Sequence, residues 1–120
     1  MSENSSFLTL MLDVVTFRPG FARIPVGDDG EPLGALGALM LTKAVKWQVE
    51  AGEGVWFQKS LEAWRWETAM DEAEMNEARA RLRETPFWEE RAVSKPEPRL
   101  YVFVNLQVLA DVLDDLISGR

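Results

Sequence analysis

The residues of this sequence that could do chemistry are carboxylates and basic side chains, because the 120-residue chain contains no cysteine and no histidine. Without thiols, no disulfide, thiolate metal site or thiol nucleophile is available. Without imidazoles, the commonest general base and the commonest zinc ligand are missing. Catalysis would rest on carboxylates, lysine or tyrosine alone, and no nucleophile–base pairing is evident. We therefore expect a protein that is not an enzyme, with no cofactor and no metal ion.

Three acids in the segment 27–31 form one local concentration of carboxylates. Asp28, Asp29 and Glu31 lack the alternate spacing that a calcium-binding loop requires. Glycine and aspartate in this arrangement favour a turn. The sequence predicts a surface turn here and no metal site.

The second concentration of charge is the segment 71–84. The whole chain has a formal net charge of −7 at pH 7. A DNA-binding surface gathers lysine and arginine, because neutralising phosphates releases bound counterions. In this segment acids instead outnumber bases, with Asp71, Glu72, Glu74, Glu77 and Glu84 against Arg79, Arg81 and Arg83. Acidity is also a common means of keeping a protein soluble, and that reading stays open.

Length and composition predict one globular domain over residues 1–120. Hydrophobic residues make up 47% and charged residues 28% of the chain, which is typical of globular proteins. The start of the chain lacks the basic region of a secretory signal. The longest apolar stretch, Leu33–Leu41, is too short to cross a bilayer. We expect a cytoplasmic protein without a membrane partner, which would lie in the host cell cytoplasm if a phage encodes it.

Two amphipathic helices flank the middle of the chain. Residues 33–51 form one, with a wide apolar face that includes Leu36, Met40, Ala44 and Trp47. Gly34 and Gly37 within it suggest either a close approach by another segment or a ragged start. Residues 105–117 form the other, with Leu106, Leu109, Leu113 and Leu116 on its apolar stripe. Residues 1–32 are predicted to be irregular, although Phe7–Phe17 could be a strand or a short helix.

The middle of the chain, residues 55–106, predicts a helix-turn-helix followed by two strands. Pro86 prevents the second helix from continuing. The expected order is a strand at Trp56–Lys59, a helix at Ser60–Thr68, a turn at Ala69–Met70, a helix at Asp71–Glu84, and strands at Phe87–Val93 and Arg99–Asn105 around the loop Ser94–Pro98.

The motifs in this order resemble a known family. They are Val-Trp-Phe-Gln-Lys-Ser at 55–60, Trp64, Thr-Ala-Met-Asp at 68–71, and Leu-Tyr-Val-Phe-Val-Asn-Leu at 100–106. Together they resemble the winged-helix domain of replisome-organiser and helix-turn-helix proteins of phages and other mobile elements. The resemblance implies an α+β, mainly helical fold, namely a single winged helix-turn-helix domain with a small β-wing. It also implies that the second helix lies against DNA, although winged helices bind proteins as well.

The second helix departs from the family pattern. Asp71 replaces the family's serine and, with Glu74, predicts a capping box. If Met75, Ala78 and Leu82 are buried, the opposite face has two alanines and two glutamates where the family tends to have basic or small hydroxyl residues. Such a face, made of Ala73, Glu77, Ala80 and Glu84, offers little to phosphates or to guanine edges. We interpret it as part of a protein-binding surface.

Trp66 is the second departure, since the family usually has a charged residue there. Helical spacing directs it away from the core residues Leu61, Trp64 and Thr68. An outward tryptophan predicts a protein contact, because tryptophan is enriched in binding hot spots. The alternative is that Trp66 packs against the N-terminal segment. The other four tryptophans are expected to pack in the core or wing.

The basic residues could instead make a sparse phosphate track along helix and wing. They are Lys59, Arg65, Arg79, Arg83, Arg91, Lys95 and Arg99. The alternative is an ordinary solvated surface, with ion pairs such as Glu77–Arg81 at i,i+4 spacing.

Two functions remain. The first is an acidic protein that binds a protein or nucleoprotein partner, for example as a DNA-mimicking inhibitor of a CRISPR or restriction complex. The second is a DNA-binding replication-initiation or transcription-regulatory protein that uses duplex DNA. Either protein could be a monomer or a homodimer.

Overall fold

The architecture is described for residues 19–119 of a computed structural model. Within this range five helices and two small antiparallel sheets form an α+β fold with a helix content of about 53%. The elements are α1 (Pro19–Ala22), β1 (Pro25–Val26), β2 (Glu31–Pro32), α2 (Gly34–Ala51), β3 (Phe57–Ser60), α3 (Leu61–Thr68), α4 (Glu72–Leu82), β4 (Trp88–Val93), β5 (Arg99–Val104) and α5 (Leu106–Ser118). The predicted α+β class is confirmed. The predicted strand or helix at Phe7–Phe17 lies outside the described residues.

Helix α2 is the centre of the core. Its predicted apolar side is buried, with Met40, Ala44 and Trp47 against the sheet and the other helices. Glycine is required at position 37 because another side chain lies very close to it. That side chain belongs to Leu33, four residues earlier, and not to a distant segment. A Cβ atom there would lie 2.5 Å from the side chain of Leu33, which folds back over the first turn. Gly34 has a positive φ of 86°, so the helix starts irregularly, which was the other expectation.

The larger sheet has the strand order β3–β5–β4, all antiparallel. Buried and partly exposed side chains alternate along strand β5, and Leu100, Val102 and Val104 face the core. Strand β3 pairs Phe57 with Val102 on one side of β5, and β4 pairs Trp88 with Val104 on the other. The predicted wing hairpin is therefore joined to the strand that precedes α3.

The N-terminal part of the described chain is less irregular than predicted. Helix α1 and a two-stranded ladder, in which Pro25 pairs with Pro32, interrupt the segment that we expected to lack regular structure. The short apolar stretch before the turn supplies the reason, because Phe21, Ile24 and Val26 are buried in the core. The predicted surface turn at residues 27–31 is confirmed: residues 27–30 form an exposed turn between β1 and β2, and Glu31 begins β2.

Local side chains fix the ends of α3 and α4. The Ser60 hydroxyl caps α3 by accepting from the Ala63 amide at 3.0 Å. The predicted capping box of α4 is confirmed: Asp71 accepts from the Glu74 amide, and Glu74 accepts from the Asp71 amide. Each helix begins one residue later than predicted, because Ser60 and Asp71 are caps. Helix α4 also ends earlier, at Leu82 instead of Glu84.

The turn between α3 and α4 depends on an unusual backbone conformation. Ala69 has a φ of 59° and a ψ of 19°, in the left-handed region that usually requires glycine. Its amide donates to the Arg65 carbonyl at 2.8 Å and so closes the last turn of α3. This conformation lets the chain reverse within a few residues.

Helix α5 packs on the core with only part of its apolar stripe. Leu109 is buried, Leu113 is half-buried, and Ile117 is 84% exposed. Asn105, at the predicted start, caps the helix by accepting from the Val108 amide at 3.1 Å. None of the helices within residues 19–119 has the length and apolarity needed to cross a bilayer.

Candidate functional site

Two of the basic residues proposed to contact phosphate are held by a buried carboxylate. Arg79 donates from Nε and Nη2 to Oε2 of Glu90, at 3.0 and 2.7 Å, and Arg83 donates to the same oxygen at 3.0 Å. Trp88 donates from Nε1 to the other oxygen at 3.0 Å. The Glu90 side chain is only 5% exposed. Burial alone would raise the pKa of Glu90, but the hydrogen bonds from Arg79 and Trp88 outweigh it and lower that pKa.

The remaining five residues of the predicted track have different surroundings. Lys59 lies over the Trp47 ring at 4.8 Å, and Arg91 lies over Tyr101 at 5.7 Å. Arg99 donates to Glu97 and to Gln58. Arg65 and Lys95 are exposed, and neither forms an ion pair with another residue of the described chain. Of the seven residues, Arg79 and Arg83 share Glu90, and Arg65 and Arg79 line one groove, which is described below. The other four residues neither pair with Glu90 nor line that groove. The predicted ion pair between Glu77 and Arg81 does not form, because Arg81 donates instead to the Pro32 carbonyl at 3.1 Å.

A small basic cluster that the sequence did not indicate lies on the other side of α3. The Lys43 ammonium, almost fully buried, donates to Glu67 at 2.9 Å. That hydrogen bond is the main cause of the lowered pKa of Glu67, with further contributions from the charges of Lys43, Lys46 and Lys59. Of these three lysines, only Lys43 forms an ion pair with Glu67, and this pair ties α2 to α3.

The predicted acidic face of α4 is exposed but does not adjoin Trp66. All four of its residues, Ala73, Glu77, Ala80 and Glu84, are exposed. Glu77 lines a depression of about 280 Å³ together with residues 31–36. Glu84 extends toward Gly27, where a Cβ atom would lie 3.1 Å from its Oε1. The face is therefore oriented toward the β1–β2 hairpin and the start of α2.

Trp66 lies on a different concavity, which we call the Trp66 groove. Its side chain is 84% exposed, by far the most exposed tryptophan among the described residues. The predicted alternative, packing against the N-terminal segment, concerns residues outside the described range. The groove is open and has a volume of about 990 Å³. It is lined by Ser60, Leu61, Glu62, Arg65, Trp66, Ala69, Met70, Asp71, Glu72, Met75, Asn76, Arg79, Glu97 and Pro98.

The Trp66 groove is built from three elements whose relative position is fixed. Helix α3 provides one wall, the first turns of α4 provide the opposite wall, and the loop between β4 and β5 closes one end. The loop is anchored where the Leu61 amide donates to the Pro98 carbonyl at 3.1 Å. Met70 and Met75, both buried, form an apolar floor. Methionine suits such a floor because its flexible, polarisable side chain adapts to different partners.

Acidic groups dominate the charge of the groove. Four carboxylates line it, from Glu62, Asp71, Glu72 and Glu97, against two guanidiniums, from Arg65 and Arg79. Arg79 is already paired with Glu90, Asp71 caps α4 and Glu97 accepts from Arg99. Glu62 and Glu72 form no ion pair within the described chain. An exposed aromatic ring above an apolar floor, with free carboxylates at the rim, can bind an amphipathic cation and would repel phosphate.

Sequence reasoning identified Trp66 but missed most residues around it. Glu62 could have been found, because it precedes Trp66 by four positions and so lies on the same helix face. Glu72 and Asn76 share one face of α4 at the same spacing, adjacent to the buried stripe, whereas the predicted partner surface was the face opposite to that stripe. The contribution of the loop residue Pro98 had no local signal.

The described residues were also compared with the requirements of a metal site and with known proteins. No three acidic, histidine or cysteine side chains in the range 19–119 are grouped as a metal ion would require. Compared with known protein families, with curated proteins and with solved structures, the chain matches none. Its function therefore has to be inferred from the chemistry of its own surfaces.

Proposed function

We propose that this chain is a non-catalytic, acidic winged-helix protein that binds a protein or nucleoprotein partner through the Trp66 groove. The exposure of Trp66 is the observation that carries the proposal. An 84% exposed tryptophan leaves a large apolar surface in water, and burying it against a partner is favourable.

The order and pairing of the elements support the winged-helix assignment. A helix, a strand, two helices joined by a tight turn, and a hairpin follow one another from α2 to β5. The strand before α3 pairs with the second strand of the hairpin, which gives a three-stranded sheet behind the two helices. These features, together with the sequence motifs at 55–60 and 100–106, are those that the resemblance implies.

The charges favour a protein partner over duplex DNA. In a DNA-binding winged helix, α4 would present basic groups to phosphates. Here Arg79 and Arg83 are turned to Glu90, and Arg81 donates to a backbone carbonyl. The exposed carboxylates Glu77 and Glu84 would meet the DNA backbone with like charge. The same carboxylates suit a partner with a basic surface, including the DNA-binding groove of a host defence complex, which such a protein would inhibit.

Direct binding assays on the full chain separate the two functions. We expect no binding to duplex DNA by fluorescence anisotropy, even at about 50 mM salt, where phosphate contacts are strongest. We expect that a host-cell protein retained by the chain is lost with Trp66→Ala and kept with Ile117→Ala. Ile117 is the matched control, because it is also 84% exposed but lies on α5.

Two results would overturn the proposal. One is duplex binding that weakens steeply with salt and disappears with Lys95→Glu. The other is a partner that Trp66→Ala and Ile117→Ala retain equally well. Neither variant should alter the fold, since both side chains are exposed.

A further inference from the structure

We infer that the Trp66 groove binds a basic peptide segment in which arginine or lysine side chains flank an apolar residue. This inference rests on the proposed function and names the chemistry of the partner. The partner segment would place its apolar side chain on the floor of the groove and its cationic groups against Trp66 and the rim carboxylates.

The floor of the groove sets the first requirement. The floor consists of Met70 and Met75, and the partly buried Leu61 also lines the groove. A partner with charged groups alone would leave this apolar surface in contact with water. One apolar side chain would displace that water and would gain the adaptable contacts that methionine allows.

The rim sets the second requirement. Glu62 and Trp66 are neighbours on α3 at i,i+4, so a cation stacked on the indole ring would have a carboxylate beside it. Glu72 stands on the opposite wall, and neither glutamate has an ion-pair partner in the described chain. The lining charge, four carboxylates against two guanidiniums, is −2, and it stays −2 when the pairing of Arg79 with Glu90 and of Glu97 with Arg99 is counted. A basic segment complements this charge, whereas an acidic or phosphorylated one is repelled.

The stability of the walls makes the groove a preformed site. The capping box fixes the first turn of α4, and the Ser60 cap and the Leu61–Pro98 hydrogen bond fix the start of α3 and the closing loop. Little ordering is then required of the protein when a segment binds, and a preorganised site binds more tightly.

The test uses the full chain and a labelled synthetic peptide in which two arginines flank a leucine. Fluorescence anisotropy measures its dissociation constant for the wild type, for the double variant Glu62→Gln/Glu72→Gln and for Glu77→Gln/Glu84→Gln. The two double variants change the net charge by the same amount, but Glu77 and Glu84 do not line the groove. We expect the groove variant to raise the dissociation constant about five- to tenfold and the control to change it less than about twofold. A version of the peptide with serine for leucine should bind more weakly, and one with glutamate for arginine should not bind.

Several outcomes would overturn the inference. Equal effects of the two double variants would mean that the peptide responds to overall charge only. Tighter binding of the glutamate peptide would mean that the partner is acidic. A dimer that Trp66→Ala dissociates, detected by sedimentation, would mean that a second copy of the chain covers the groove.

Failure of the inference can be told apart from failure of the proposed function. If the host partner needs Trp66 but is retained by Glu62→Gln/Glu72→Gln, the protein-binding function stands and the basic segment is wrong. If Trp66→Ala and Glu62→Gln/Glu72→Gln both retain the host partner as well as the wild type does, both proposals fail.

Discussion

Arg79 and Glu90 form a two-pronged ion pair, in which Nε and Nη2 of the arginine reach one carboxylate oxygen at 3.0 and 2.7 Å. The pair joins α4 to β4. It engages one of the arginines that were predicted, as an alternative, to form a phosphate track. One contact therefore both holds the hairpin on the helix and removes positive charge from the surface of α4.

Replacement of Glu90 by glutamine should destabilise the fold by about 2 kcal/mol, because it leaves the partly buried Arg79 guanidinium without its counter-charge. The side chain of Glu90 is 5% exposed and that of Arg79 is 17% exposed. Urea unfolding followed by circular dichroism measures the change. The control is Glu89→Gln, an exposed position on the same strand, for which we expect less than about 0.5 kcal/mol. Equal effects of the two substitutions would contradict the assigned role of the pair.

The stabilisation from Glu90 should depend on pH in a defined direction. Its pKa in the folded protein lies below the ordinary value of 4.5, in spite of burial, because Arg79 and Trp88 hydrogen-bond to the charged form. A lowered pKa contributes stability that is complete above the unfolded value and is lost as the pH falls through the folded value. The difference in unfolding free energy between the wild type and Glu90→Gln should thus be largest near neutral pH and shrink below about pH 4. If this difference in unfolding free energy grew as the pH fell, the prediction would be wrong.

Ala69→Gly should stabilise the protein by about 0.5–1 kcal/mol. At a φ of 59° the steric strain of alanine raises the free energy of the folded state. This strain exceeds the free-energy cost of the additional backbone entropy that glycine loses on folding. Thermal unfolding gives the shift in the midpoint. The same substitution at Ala80, exposed within α4, should have the opposite sign, with a loss of about 0.5–1 kcal/mol. A loss of stability at both positions would mean that the turn does not require the left-handed conformation.

Gln48→Met should cost about 2–3 kcal/mol, although it preserves the approximate volume of the side chain. The buried amide of Gln48 donates to the Gly52 and Val55 carbonyls at 2.8 and 2.6 Å and accepts from the Val104 amide at 2.8 Å. Methionine can make none of these bonds, so the buried Val104 amide loses its partner. The comparison is Gln107→Met on the exposed surface of α5, where a change below about 0.5 kcal/mol is expected from chemical denaturation. If Gln48→Met is as mild as Gln107→Met, the three bonds do not contribute as the geometry suggests.

Much of the fold was predictable because it depends on residues close together in the chain. The apolar spacing of α2 and the Asp71–Glu74 capping box are local patterns, and both have the structure expected of them. Ser60 and Asn105 were predicted to be the first residues of their helices and are instead the caps that precede them. The N-terminal hairpin was missed, since its strands have two residues each and include prolines. So short a ladder depends on burial of neighbouring residues and not on strand propensity.

The candidate site was predictable only in part. The outward orientation of Trp66 follows from helical periodicity within α3. Its association with Glu72, Asn76 and Pro98 does not, because these residues come from other elements. Glu77 and Glu84 were predicted to belong to the same partner surface as Trp66, but Glu77 faces the start of α2 and Glu84 faces Gly27.

The sequence alone was sufficient for the order of the elements, the acidity of α4, the outward direction of Trp66 and, to within two residues, the ends of the main helices. These follow from side-chain type and from spacings of three or four residues. Three features depend on the tertiary structure: Arg79 and Arg83 pair with Glu90, the Val104 amide donates a hydrogen bond to Gln48, and Trp66 lines an acidic groove. The physical reason is distance along the chain: Gln48 and Val104 are 56 residues apart, and no local pattern specifies which groups meet when the helices pack on the sheet.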